Sequence, residues 1–247
     1  MNKKSQKDNF EASWKSRFQD FADQFEDDAA IAGWSNYGLN SRLNFFKKIW
    51  GAHQQTEWLD LGCGAGTYSR FLAKKNFNVT AVDYSFPSLK KARMRGTENI
   101  LWFAGNGKQL PLRDASYNGI LCFGVMQALS SSEPLLIEMQ RVLKNDGVLY
   151  FDGLNKYCLP NMLTVIKRKL KNQKDHLRYD SPLALKRQVK KLGGKNVELI
   201  WLPILPERFK KYQPWLDSKI SGFIFRHITA ISILFCHSFI IRTYYKK

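Results

Sequence analysis

The stretch Trp58-Leu59-Asp60-Leu61-Gly62-Cys63-Gly64-Ala65-Gly66 decides the fold. Its first four residues read as a buried parallel strand. Three glycines then follow at alternate positions, before a helix over residues 68–75. Glycines directly after a strand let the backbone take positive φ and let a ligand lie against the main chain, while the N-terminus of the next helix offers unpaired N–H groups. A flat or polar ligand is expected at this junction. The run Asn78-Val79-Thr80-Ala81-Val82-Asp83 reads as a second strand, and it ends in an acid placed to accept hydrogen bonds from ribose hydroxyls. A nucleoside is therefore expected.

Two nucleoside cofactors compete. The dinucleotide fingerprint G-x-G-x-x-G needs glycine at position 67, where this chain has Thr67, and that argues against a nicotinamide-dependent oxidoreductase. From Asp60 to Gly66 the spacing is D-x-G-x-G-x-G, which resembles the first motif of class I S-adenosylmethionine-dependent methyltransferases, with a domain like methyltransferase type 11. The resemblance implies that Asp60, Gly62, Gly64 and Gly66 form the loop against the methionine part of S-adenosyl-L-methionine. It also implies that Asp83 holds the ribose, with Tyr84 beside it as a further cofactor contact.

The same resemblance extends along residues 56–155. After a short strand over residues 100–104, Asn106 and Gly107 stand where the family often carries Gly-Asp-Ala, whose acid meets the adenine amino group; an amide can accept through its oxygen and also donate. Pro111, Asp114 and a strand over residues 117–123 match the family's proline, acid-bearing loop and strand ending near the methyl donor, which puts Phe123 at the cofactor. Relatives often carry a histidine just beyond, but this chain has Met126-Gln127. No general base is assigned, and Gln127 either orients the substrate or lies at the surface. A helix from Pro134 and the string Arg141-Val142-Leu143-Lys144-Asn145-Asp146-Gly147, close to the family's R-V-L-K-P-G-G segment, supply a second match before a strand over residues 148–152.

Ahead of the motif, residues 1–9 are polar and expected to be mobile. Phe10, Trp14, Phe18, Phe21 and Phe25 then recur at three and four, a helical stripe, with Asp20, Asp23, Glu26, Asp27 and Asp28 on its other side. A second helix is expected over residues 41–50. In the family resembled, such a segment covers the cofactor and contributes to the substrate pocket. Residues 1–55 are thus read as an N-terminal helical lid, with Trp34, Tyr37 and Arg42 as candidate substrate contacts; Trp34 and Tyr37 could equally pack the lid onto the sheet edge.

The net charge of +18 is unevenly placed. Residues 156–247 hold 20 Lys and Arg against 5 Asp and Glu, a balance of +15, and leave 19 against 16 for residues 1–155. Such a field suits phospholipid headgroups, a phosphorylated carrier or RNA, or is simply a solvated lysine surface. The four cysteines lie far apart without a C-x-x-C pair, so neither a zinc site nor a disulfide framework is expected, and no metal is assigned. The polar N-terminus carries no apolar signal region, so a cytoplasmic protein is expected, with peripheral contact at the membrane as the extension.

In the last third, residues 156–195 are basic and helical in pattern, with Ser181-Pro182 starting a helix that Gly193-Gly194 ends, and a sixth strand is expected over residues 197–204. Residues 220–241 are strongly apolar but contain Arg226, His227 and His237, which argues against a membrane span. Two readings remain for residues 215–241: a core-packing helix followed by a seventh, antiparallel edge strand over residues 239–245, or a helix lying on a membrane.

The fold class expected is α/β: a Rossmann-like, seven-stranded, mostly parallel sheet with helices on both faces, an antiparallel last strand and an N-terminal helical lid. Residues 56–155 form the cofactor-binding core, and residues 156–247 complete the same domain as a basic helical insertion and C-terminal sheet and helix. The resemblance implies methyl transfer from S-adenosyl-L-methionine to O, N or C of a small acceptor, leaving S-adenosylhomocysteine. The apolar tail beside a basic surface favours an amphipathic or lipid-linked acceptor. A tRNA methyltransferase ranks second, and a non-catalytic nucleoside-binding regulator third.

Overall fold

A computed structural model describes residues 3–51, 56–173 and 177–245, with side chains from residue 9 onward. The elements run α1 (Lys3–Gln24), α2 (Asp28–Ile31), α3 (Asn36–Ile49), β1 (Glu57–Leu61), α4 (Thr67–Ala73), β2 (Asn78–Asp83), α5 (Phe86–Met94), β3 (Ile100–Ala104), β4 (Tyr117–Cys122), α6 (Glu133–Val142) and β5 (Leu143–Leu154). They continue with α7 (Leu159–Leu170), α8 (Pro182–Lys191), β6 (Gly194–Leu202), α9 (Gln213–Leu216), α10 (Lys219–His227), α11 (Thr229–Phe235) and β7 (Ser238–Tyr245).

The strands form one sheet in the order β3-β2-β1-β4-β5-β7-β6. From β3 through β5 neighbouring strands are parallel, while β7 runs antiparallel to both β5 and β6. The seventh strand is thus not at the edge, as the sequence suggested, but slots between β5 and β6. Its apolar side chains fit the position, with Phe239, Ile240, Ile241 and Tyr245 all buried, and its backbone is paired on both sides.

Strand alternation divides the core into two layers. On one face Leu59, Ile120, Leu149, Phe151, Phe239 and Ile241 pack with Leu135, Leu136 and Met139 of α6 and Leu185 and Val189 of α8. On the other, Trp58, Leu121, Val148, Tyr150 and Ile240 pack with Phe46 and Trp50 of the α3 end and Leu72 of α4. The register pairs Trp58 with Gly119, and the indole lies over that glycine, where a Cβ would sit 2.4 Å from the ring.

Boundaries shift from the sequence reading for local reasons. α1 begins at Lys3 rather than at Phe10 and ends at Gln24, with Met1 and Asn2 outside the described residues. α3 begins at Asn36 because Ser35 Oγ caps it by accepting from Gly38 N at 3.1 Å. The proposed boundary at residue 55 falls in residues 52–55, outside the described residues. The turn expected around Asn145-Asp146 is absorbed into the longer strand β5. The helix expected over residues 215–235 is three short ones, broken at Ser218 and Ile228.

The acids after α1 do not form a free face. Asp27 caps α2, and Asp28 accepts from Thr67 Oγ1 at 2.6 Å, from Arg95 at 2.8 Å and from Arg70. Glu26 pairs with Lys91 at 2.8 Å. The N-terminal helices are thereby clamped to α4 and α5, close to the carboxyl edge of the sheet.

Candidate functional site

At the carboxyl ends of β1, β2 and β4 the chain encloses a cavity of about 300 Å³, the place where open α/β sheets bind ligands. Its floor is the glycine loop. Gly62 has φ +75° and lies so close to Val125 that a Cβ would sit 2.1 Å from Cγ2. Gly64 has φ +51°, and a Cβ there would meet nothing within 4 Å. The first glycine is therefore required by packing, whereas the second faces open cavity and lets a ligand reach the main chain.

Asp83 ends β2 with its carboxylate buried against this loop. It accepts from Gly64 N and Ser85 N, each at 2.8 Å. Burial pushes its pKa up, and these N–H donors oppose the shift. Tyr84 follows on the wall, and its hydroxyl donates to Trp14 O of α1 at 3.2 Å. Asn106, Gly107 and Phe123 also line the cavity, and Asn106 Oδ1 accepts from Lys108 N at 3.0 Å. Val125, Ala128, Leu129 and Leu135 supply an apolar side.

A smaller recess of about 50 Å³ shares Trp34, Gly62, Gly64, Phe123 and Gly124 with this cavity and adds Arg42, Tyr68 and Asp152. Arg42 comes from α3 and Asp152 from β5; they pair at 3.5 Å, with the guanidinium 4.0 Å over the Trp34 ring. Asp152 Oδ1 also accepts from Gly124 N at 2.7 Å. Burial pushes the Asp152 carboxyl up and the Arg42 guanidinium down, and each charge opposes the other's shift. Arg42 Nη1 is buried without a hydrogen-bond partner. His237 lies in the same field; burial, with Arg42 nearby, pushes it down to about 4, so the imidazole is neutral.

Of the residues singled out in the sequence, Gly62, Gly64, Asp83, Tyr84, Asn106, Gly107, Phe123 and Trp34 line the main cavity, and Arg42 lines the recess. Four lie elsewhere. Asp60 is buried beneath the loop, where it accepts from Ser69 Oγ at 2.5 Å, and burial pushes its pKa up to about 7. Gly66 is the N-cap of α4, packed on Trp102. Tyr37 turns away to donate to Gln213 Oε1 at 2.9 Å. Gln127 is neither at the surface nor in the cavity lining; it is buried, and its backbone carbonyl accepts from Arg178 N at 2.9 Å.

The sequence reading missed four participants. Glu11, Trp14 and Phe18 of α1 line the cavity, and Glu11 reaches across to Ser130 Oγ at 2.6 Å and to Lys108. Trp14 Nε1 is buried without a partner, a donor left over at a cavity wall. The aromatic stripe announced the helix and the resemblance made it a lid, but neither said which of its side chains face the cavity. Asp152 was legible only as the acid ending a parallel strand, the same signal that marked Asp83.

This is the Rossmann-like fold of the class I S-adenosylmethionine-dependent methyltransferases, and the cofactor of that class is S-adenosylmethionine. Residues 59–151 match the family model described as a methyltransferase domain. A malonyl-[acyl-carrier protein] O-methyltransferase of Hamiltonella defensa is 30% identical over 141 residues, covering 56% of this chain and 51% of that protein. A demethylmenaquinone methyltransferase of Tropheryma whipplei is 36% identical over 104 residues, covering 41% and 43%. The chain spans about half the length of the curated relatives it matches. Among solved structures, the phosphoethanolamine N-methyltransferase 2 of Haemonchus contortus in complex with S-adenosyl-L-methionine superposes with a TM-score of 0.64 at 16% identity, covering 93% of this chain and 60% of that one.

The residues present fit the cofactor. Gly64 leaves open the space a side chain would fill, Asp83 presents a buried carboxylate beside it, and Trp14 offers an unpaired donor.

Proposed function

We propose that this chain transfers a methyl group from S-adenosyl-L-methionine to a nucleophilic O, N or C of a small, amphipathic or lipid-linked acceptor. The observation that carries the reading is the cavity formed by Gly62, Gly64 and Asp83, joined to a recess that holds a buried Arg42–Asp152 pair. Gly62 and Gly64 would lie along the methionine part, Asp83 would accept from the ribose hydroxyls, and Asn106 with Gly107 would meet the adenine edge. Residues 1–55 act as the lid, residues 56–155 as the cofactor-binding core, and residues 156–247 complete the sheet and carry the basic surface.

S-adenosyl-L-methionine supplies, when bound, a methyl group already activated by its sulfonium. The protein's part is then alignment and exclusion of water. Trp34 and Phe123 wall the boundary between cavity and recess, so an acceptor in the recess faces the cavity across them. Arg42 holds a charged, planar donor set there, fixed by stacking on Trp34 and by the ion pair of its Nη1 with Asp152, and Nη1, which makes no hydrogen bond, can orient an acceptor oxygen. Asp152, which lines this recess and is raised by burial, can take a proton from an acceptor hydroxyl. The relatives named for malonyl-[acyl-carrier protein] and demethylmenaquinone support an acceptor of this kind.

The test incubates purified protein and methyl-labelled S-adenosyl-L-methionine with cell extract, then separates organic, aqueous, RNA and protein fractions, with Asp83→Ala as control. Label in the organic fraction, lost in the variant, is the expected result. The balance of +15 in residues 156–247 supports the second reading, a tRNA methyltransferase, and label in RNA would establish it instead. Cofactor binding with no label in any fraction would replace both with a non-catalytic nucleoside-binding regulator.

A further inference from the structure

Three helices of the C-terminal third are built inside out. In α7 the one residue buried outright is Asn161, whose amide donates to Asn155 O at 2.7 Å and His237 O at 3.1 Å. In α10 it is Ser221, whose hydroxyl donates to Trp215 O at 2.9 Å, and in α11 it is Ser232, bonded to Phe225 O at 2.7 Å. Polar side chains thus tie α7 to the ends of β5 and β7, α10 to α9, and α11 to α10. Phe225 and Ile233 pack half-buried on the core, but most of the large apolar ones face away: Leu163, Ile166, Leu170, Ile220, Phe223 and Phe235 are between 50% and 82% exposed.

Scattered surface hydrophobics need no explanation, but a contiguous apolar face does. Leu159, Leu163, Ile166 and Leu170 follow one another by four, three and four residues, a single stripe along α7. Helix α11 packs against both α7 and α10, so the three helices form one continuous group.

Charge identifies what would cover it. Lys167, Arg168 and Lys169 stand in the last turn of α7 with Lys171 as its C-cap, and Lys219 and Arg226 stand on α10. Residues 156–247 contain 20 basic against 5 acidic side chains, so the rim is cationic. Among the described residues no helix is long and apolar enough to cross a membrane. An apolar stripe flanked by lysines is the pattern of a helix that lies in the interface, with its side chains among acyl chains and its cations on phosphates.

The topology adds a direction. α7 leaves the carboxyl end of β5, and α11 leads into β7 at Ser238, which pairs with Leu154 and Leu202. The apolar face therefore adjoins the same edge of the sheet as Asp83, Phe123 and Asp152. We propose that α7, α10 and α11 form a docking surface for anionic phospholipid bilayers, which sets the mouth of the site against the lipid headgroup layer. The surface stands whether or not the acceptor is itself lipid-linked.

Co-sedimentation of the full chain with vesicles of phosphatidylcholine alone, and of phosphatidylcholine with phosphatidylglycerol, tests it. Binding is expected only to the anionic vesicles, to weaken with added salt, and to fall at least tenfold in the double variant Leu163→Glu with Ile166→Glu. The triple variant Lys167→Glu, Lys169→Glu and Lys171→Glu is expected to lose binding as well. All these side chains are exposed, so near-ultraviolet circular dichroism is expected to remain that of the parent. Wild-type protein left in the supernatant, or variants that still bind, would overturn the proposal. So would a dimer in sedimentation velocity that the same glutamates dissociate, or salt-dependent RNA binding without vesicle binding.

Discussion

Replacing Gly62 or Gly64 by alanine changes the same loop by one methyl group, and the structure separates the two consequences. At Gly64, with φ +51° and nothing within 4 Å of a Cβ, the cost to folding is confined to the left-handed backbone, about 1–2 kcal/mol. For a chain of this size that lowers Tm by roughly 2–8 °C. The methyl group would occupy the space where the cofactor meets the main chain, so affinity is expected to fall at least tenfold. At Gly62, with φ +75°, the added Cβ would sit 2.1 Å from Val125 Cγ2. Overpacking adds about 1–3 kcal/mol to a similar backbone cost, so Tm falls further than in Gly64→Ala. Scanning calorimetry of the free proteins and isothermal titration with S-adenosylhomocysteine measure both effects. A folded Gly64→Ala protein that binds like wild type would refute the assignment of this cavity to the cofactor. A Gly62→Ala protein more stable than Gly64→Ala would refute the packing argument.

Asp60 gives a pH-dependent prediction. Its pKa is raised to about 7 by burial, so between about pH 4 and 7 the folded protein holds a proton that the unfolded chain has lost, and stability falls as pH rises through that window. Asp60→Asn, which can still accept from Ser69, is expected to flatten that decline, worth up to about 4 kcal/mol, in urea midpoints measured against pH. Asp28→Ala removes the acceptor shared by Thr67, Arg70 and Arg95, and should cost about 1–3 kcal/mol and speed limited proteolysis between α1 and α3. Arg42→Lys keeps a charge against Asp152 but loses the flat contact on Trp34. It is expected to leave S-adenosylhomocysteine affinity within about twofold and to lower label transfer at least tenfold; equal transfer would remove Arg42 from acceptor binding.

Much of this was legible in the chain because the signals are local. A strand running into Gly62 and Gly64, then a strand ending in Asp83, carry their meaning within some twenty-five residues, and the cavity forms at that junction. The same motif also named Asp60 and Gly66, which spacing alone cannot separate from their neighbours. Asp60, in β1, turns inward to Ser69, and Gly66 lies against Trp102, because what each position faces depends on what packs around it. Tyr37 and Gln127 were misplaced for a related reason: their partners, Gln213 and Arg178, lie far along the chain.

Sequence by itself determined the alternating strands, the glycine loop and the charge imbalance, since periodicity and composition need no knowledge of partners. Only the tertiary structure decided that β7 enters between β5 and β6, that Trp14 of α1 closes the cavity, and that Arg42 meets Asp152 across 110 positions of the chain. It also decided the tail. Apolar periodicity says that a helix has two faces but not which face the domain takes. In α7, α10 and α11 the residues buried outright are polar, because Asn161, Ser221 and Ser232 find backbone carbonyls to bind, and most of the large apolar side chains are left outside, Phe225 and Ile233 excepted.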